Sequence, residues 1–209
     1  MCLIALSVTK SKDWNNKDAY FYKVIANRDE YHERKTTEMH WWSNKDLLAG
    51  KDEQAGGTWL GINKDGRFAA ITNLKENNDK KYLSSRGSLV TEFLESTLSA
   101  KAYLEDLEKE KENFAGFNLI VGDKNGLFYL CNRLEGIFFL NEGTHAWGKL
   151  TLNASTSKVE SIKGDLGLLI HNGFNESDAI NLMKKEFGNL HEKTKKELKV
   201  RDGEEIPYR

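Results

Sequence analysis

Proline is almost absent from this chain of 209 residues, Pro207 being the only one. Tight turns must therefore be made by Gly, Asn and Asp, which reach positive φ or hydrogen-bond their own backbone. Cysteine is nearly as scarce. Cys2 and Cys131 cannot make a disulfide framework, so a core must hold the chain together and a reducing, cytoplasmic location is expected. No apolar run approaches the roughly 20 residues that a membrane-spanning helix needs. The apolar start, Cys2 to Val8, carries neither a basic leader nor a small-residue cleavage site. It reads as a first strand and not as a signal peptide. Residue 2 is not glycine, so there is no myristoylation signal. An excess of one charge is missing too. Lys and Arg number 31 against 32 Asp and Glu, for a net charge of −1. Nucleic acid and anionic membrane therefore have no global electrostatic claim as partners.

What is present suits a globular domain. Hydrophobic residues make up 39% and charged residues 30%, enough for a real core and too apolar for global disorder. The length predicts a single domain over residues 1–209. Asn63-Lys64-Asp65-Gly66 separates the apolar stretches Thr58–Ile62 and Phe68–Ile71. Asp123-Lys124-Asn125-Gly126 separates Phe117–Val121 from Leu127–Cys131. Both predict hairpins. With Leu3–Val8, Tyr20–Ala26 and Ile137–Leu140, seven or more strands joined by short turns predict antiparallel sheet.

Helices interrupt the strands. Val90, Leu94 and Leu98 recur at helical spacing, and Tyr103 and Leu107 continue the stripe. Val159, Ile162, Leu166 and Leu169 form a second, and Ile180, Met183 and Phe187 a third, with Ser177 as the expected N-cap. Glu105–Lys111 reads as a solvated helix end, and Lys193–Arg209 is polar and weakly patterned. Antiparallel strands with helices grouped between them predict an α+β class.

Several residues suit chemistry. Cys2 directly follows the initiator Met1. Removal of Met1 would leave one residue holding both a thiol and a free α-amine, and the amine could take the thiol proton. A strand cysteine packed in a core would look the same in sequence. Asn27-Arg28-Asp29-Glu30 crowds polar groups at the end of an apolar strand. Asp29 suits holding an ammonium group, and Arg28 suits pairing with a carboxylate or raising the thiolate fraction of Cys2; a polar loop after a strand is the simpler reading. Gly56, Gly57 and Gly61 around Trp59 point to a close backbone approach or a bulge. No Lys-Ser/Thr and no helix follow, so the stretch makes a poor phosphate loop. Asn73 and Asn153 each end an apolar stretch where an amide suits an oxyanion, as an ordinary turn asparagine also would. No metal site is expected. His32-Glu33 begins like a zinc-protease motif, but Thr36 stands where the second histidine belongs. Met39-His40-Trp41-Trp42 combines a haem-ligand type with aromatics that read as core cover or pocket lining.

In order along the chain, Met1-Cys2, Ala26–Glu30, Gly56–Ile62, Ala69–Asn73, Ser85-Arg86-Gly87, Gly116–Ile120 and Asn132-Arg133 resemble the NRDE family. It is also called the transport and Golgi organization protein 2 family, and it is similar to the N-terminal-nucleophile hydrolases. That resemblance implies a four-layer αββα sandwich. It implies a thiol amidohydrolase acting on a small amide or acyl compound, with Cys2 as nucleophile, Arg28 and Asp29 beside it, and Asn73 and Asn153 supporting the oxyanion or amine. Asn27, Gly57 and Trp59 would line the substrate pocket. No cofactor is required on that reading. The amidases place an arginine three residues before the matching aspartate, where this chain has Ala26. Family members run on to a strand carrying Gly-Thr-Arg, so the resemblance also implies that the last strands are lacking after Arg209. The alternative implied by eukaryotic relatives is non-catalytic: a protein that binds and traffics haem or an acyl-lipid or acyl-coenzyme A ligand.

Overall fold

A computed structural model describes residues 2–10, 20–31, 33–74, 76, 82 and 84–184. Among these, ten strands form two antiparallel sheets. The smaller has the order β10-β1-β2, from β1 (Leu3–Lys10), β2 (Tyr20–Asn27) and β10 (Gly143–Trp147). The larger runs in chain order from β3 to β9. Its strands are β3 (Thr36–Trp41), β4 (Leu47–Asp52), β5 (Leu60–Asn63), β6 (Phe68–Asn73), β7 (Phe117–Asp123), β8 (Gly126–Cys131) and β9 (Phe138–Phe139).

The two expected hairpins form for the reasons their turns suggested. At β5–β6 the Asn63 side-chain oxygen accepts the N–H groups of Asp65 and Arg67, each at 3.0 Å, and Gly66 takes φ 76°. At β7–β8 one Asp123 oxygen accepts Asn125 N–H at 2.7 Å. The other accepts Ala100 N–H at 2.7 Å and so also fixes a helix start.

That helix is α2 (Ala100–Glu108), preceded by α1 (Arg86–Glu95). The stripe expected through Leu98 is broken there. Ser96 ends α1, Ser99 caps α2 by accepting Ala102 N–H, and Leu98 is left exposed. α3 (Ser157–His171) carries the second stripe and is capped by Thr156. A further helical segment covers residues 176–184. Asn175, not Ser177, caps it, accepting Asp178 N–H at 2.9 Å; Phe187 lies outside the described residues.

Three apolar layers bind four structural layers. Ile4, Leu6 and Val8 face the larger sheet and pack with Ala70, Ile120 and Trp147. Leu3 and Ala5, on the opposite face of β1, pack under Val159, Ile162 and Leu166 of α3. α1 and α2 cover the outer face of the larger sheet through Leu89, Phe93 and Leu104. This is the expected αββα sandwich of the α+β class. No described helix is long and apolar enough to cross a membrane.

Leu6 is fully buried between the sheets, whereas Phe21 on the neighbouring strand is 57% exposed. Leu6→Ala should cost about 2–5 kcal/mol in urea unfolding, against ~0.5 kcal/mol or less for Phe21→Ala.

Candidate active site

Strand alternation decides where Cys2 points. The even residues of β1 face the larger sheet and the odd ones face α3. Cys2 continues the even series one step before the strand and lines a cavity of about 530 Å³. β1 and β2 pair with Leu3 opposite Asn27. One step further, the same register sets Cys2 beside Arg28, which lines the cavity too. Asn27, of opposite parity, points away and donates its amide to the Met183 carbonyl at 2.9 Å.

The Cys2 thiol is pushed above its ordinary pKa. Burial is the main cause, opposed by a hydrogen bond from the Asp29 main chain and by the Arg28 charge, while the Asp29 carboxylate adds to the rise. Both Asp29 carboxylate oxygens are buried. So Arg28 and Asp29 both act on the sulfur, with opposite sign in their charges.

Arg28 is held in turn. Its guanidinium lies 3.5 Å from both Glu30 and Asp52. Arg34 joins the same two carboxylates, at 3.7 Å from Glu30 and 2.8 Å from Asp52. Asp52 also organises the glycine-rich loop. Its second oxygen accepts Gln54 and Ala55 N–H at 3.1 Å, and its own N–H donates to the Gly57 carbonyl at 2.9 Å. One carboxylate therefore ties the loop to both arginines. Asp52 and Arg34 were not singled out by sequence reasoning. The only available signal was that Asp52 opens the loop leading to Gly57.

Gly57 and Trp59 line the cavity. A Cβ at Gly57 would stand 2.7 Å from the carbonyl carbon of Gly87 at the start of α1. Only glycine lets this loop touch the helix, which is the close approach its composition suggested. Asn73, at the exposed end of β6, also lines the cavity.

Asn153 does not. It adopts φ 55°, accepts Ala146 N–H at 3.1 Å and returns its own N–H to the Ala146 carbonyl at 2.8 Å. Its amide nitrogen meets His145 Nδ1 at 3.1 Å. It completes the outer hydrogen bonds of β10 instead of reaching Cys2's cavity.

The segment between β10 and Asn153 is fixed by a buried polar network. Tyr129 hydroxyl donates to Asn118 Oδ1 at 2.7 Å. Asn118 donates to the Leu150 carbonyl at 3.0 Å and to Thr72 Oγ1 at 3.3 Å. Thr72 donates to the Gly148 carbonyl at 2.9 Å. A Cβ at Gly148 would lie 3.1 Å from the Cys2 carbonyl oxygen.

No group of three or more His, Cys, Asp or Glu side chains is arranged for a metal among the described residues. Trp42 packs on the helix-side core and donates to the Ala49 carbonyl at 3.1 Å, while Trp41 is half exposed. Met39 lines the cavity. His32 lies outside the described residues.

The Transport and Golgi organisation 2 family profile matches residues 1–207. The chain belongs to that family. Among curated members, the homologue from Bos taurus is 38% identical over 112 residues, 52% of this chain and 41% of that protein. An uncharacterised Saccharomyces cerevisiae protein, YGR127W, is 35% identical over 117 residues, 48% of this chain and 37% of that one. The match thus spans less than half the length of these relatives. In fold, the chain is similar to the N-acylethanolamine-hydrolyzing acid amidase ortholog of Caenorhabditis elegans. The TM-score is 0.56 over 86% of this chain and 85% of that one, at 9% identity. The fold of this family member is therefore that of the N-terminal-nucleophile hydrolases.

Because burial favours the neutral thiol, the thiolate fraction stays below that of a free cysteine at any given pH. In protein that retains Met1, iodoacetamide should alkylate Cys2 more slowly than a free cysteine at neutral pH, the rate climbing steadily as the pH rises. Arg28→Gln removes a charge that lowers the pKa and should slow the reaction further at pH 8. Peptide mass spectrometry distinguishes Cys2 from Cys131.

Proposed function

We propose that this protein is an N-terminal cysteine amidohydrolase acting on a small amide or acyl compound. The observation that carries the reading is the position of Cys2. It stands directly before β1, beside Arg28, and lines a cavity in a fold shared with an amidase. A raised thiol pKa means that the group needs a base. The α-amine exposed by loss of Met1 would supply it from the same residue.

On this reading the thiol proton passes to the α-amine and the sulfur attacks the carbonyl carbon. The Asn73 amide supports the oxyanion. The C–N bond breaks as the ammonium returns its proton to the departing amine, leaving a thioester on Cys2. Water, losing a proton to the α-amine, cleaves the thioester and restores the thiol. Asp29 holds the ammonium, and Arg28 favours the thiolate.

The cavity's apolar wall, with Met39, Trp59, Leu60 and Ile71, favours one second reading: an acyl or haem carrier that cleaves nothing. No histidine lines the cavity among the described residues, so Cys2, Met39 or Tyr82 would be the lining residues able to hold haem iron there.

Intact mass of protein from its own host, before and after a thiol-reactive acyl probe, separates the two. The hydrolase predicts a mass without Met1, one adduct that is lost in Cys2→Ala, and turnover of a short N-acyl amide panel that falls at least ~1,000-fold in that variant. Retained Met1 with no adduct at Cys2 would sink the hydrolase. Ligand binding unchanged in Cys2→Ala would then favour the carrier.

A further inference from the structure

The charges around the cavity are unevenly matched. Arg28 and Arg34 share Glu30 and Asp52 in one closed quartet. Lys51 pairs with Glu53 at 3.8 Å, and Glu38 sits on the exposed edge strand β3, where water screens it. Arg86 is different. It is partly buried at the first position of α1 and lines the cavity. It has no ion-pair partner among the described residues. One of its nitrogens donates to the Gly116 carbonyl at 3.0 Å. Glu76, whose charge acts on it, is already bound by Arg133 and by Gly116 N–H, both at 2.6 Å. Burial is the chief cause that lowers the pKa of Arg86; the Glu76 charge opposes it, and the Arg34 charge adds a smaller lowering. Two guanidinium groups thus repel each other across one cavity. The first turn of α1 holds no acidic residue to offset its positive end.

We infer that the wall formed by Arg86, Arg34 and the start of α1 is a subsite for a carboxylate- or phosphate-type group on the ligand. An anion there would give Arg86 a charged partner beyond the Glu76 carboxylate it shares with Arg133 and would offset its repulsion from Arg34. The arrangement also sets the polarity of the ligand. Met39, Trp59, Leu60 and Ile71 suit an acyl chain, whereas Tyr82, Ser84, Ser85 and Arg86 form a polar wall. Resting on the amidohydrolase reading, the substrate class becomes an N-acyl compound whose amine portion bears the acidic group.

Binding to the Cys2→Ala protein, which on that reading turns nothing over, tests the subsite by calorimetry. The probes are N-hexanoylglycine, its uncharged counterpart N-hexanoylglycinamide, and N-hexanoylaminomethylphosphonate. The charged probes should bind at least about tenfold more tightly than the amide, and the better of the two shows which acid the site prefers. Arg86→Gln should reduce the preference to within about twofold while leaving N-hexanoylglycinamide binding unchanged, and Arg86→Lys should restore part of it. Equal affinities for charged and neutral probes before Arg86 is touched, including no binding of any, overturn the subsite, and that comparison does not depend on how the variant folds. So does a preference that survives Arg86→Gln. An anion preference in a protein whose intact Cys2 form cleaves no amide would sink the hydrolase alone and leave the subsite standing.

Discussion

A strand buried on both faces sets the geometry of this molecule. β1 sits in the middle of its sheet with apolar residues on each side, so it cannot slip by one residue. A slip would move Ile4, Leu6 and Val8 onto the α3 face and Leu3 and Ala5 between the sheets, two layers that need side chains of different size. Because β2 is locked to β1 over eight residue pairs, the same constraint fixes Arg28 beside Cys2. A thiol just ahead of a strand would ordinarily be free to fray. Here it is continuous with the most deeply buried strand of the smaller sheet.

The parts of this arrangement that were legible in sequence are those with a strong local cause. Asn63, Gly66 and Asp123 make turns by their own chemistry. The continuous apolar runs of β1, β6 and β7 report burial on both faces directly, and the family motifs named the four-layer fold. β3, β4 and β10 were not legible. β3 is an edge strand with solvent on both faces, so it carries no alternation. β10 is five residues long and buries only Ala146 and Trp147. The α1–α2 break was hidden because Leu98 keeps helical spacing, although two serine caps and the Asp123 carboxylate end one helix and start another there.

The site divides along the same line. Cys2, Arg28, Asn73, Gly57 and Trp59 meet at one cavity, because each sits on or next to a strand whose parity is fixed. Asn27 and Asn153 do not reach it. For Asn27 the reason is parity alone, since its neighbour Arg28 takes the cavity side. For Asn153 it is the left-handed backbone, which turns the side chain back onto Ala146. Arg34 and Asp52 could not be found from spacing. Their importance arises only when the turn after β4 brings a carboxylate between two arginines that lie six residues apart in sequence.

The end of the sandwich at Cys2 also needs something to hold two sheets of unequal width in register, and apolar packing alone is too forgiving for that. The Tyr129–Asn118–Thr72 chain does it with direction. Burial raises the Tyr129 hydroxyl above its ordinary pKa, so it stays protonated and can only be a good donor to Asn118. Asn118 then has its oxygen satisfied and both amide hydrogens turned towards Thr72 and Leu150. Thr72, having accepted from Asn118, must donate onward, and the Gly148 carbonyl is its acceptor. Each step leaves one choice, and a buried polar group left without a partner would cost about 1–3 kcal/mol. The chain therefore fixes the backbone at Gly148, and Gly148 is the residue whose missing side chain lets that backbone lie against the Cys2 carbonyl. The larger sheet thus sets the position of a thiol that belongs to the smaller one.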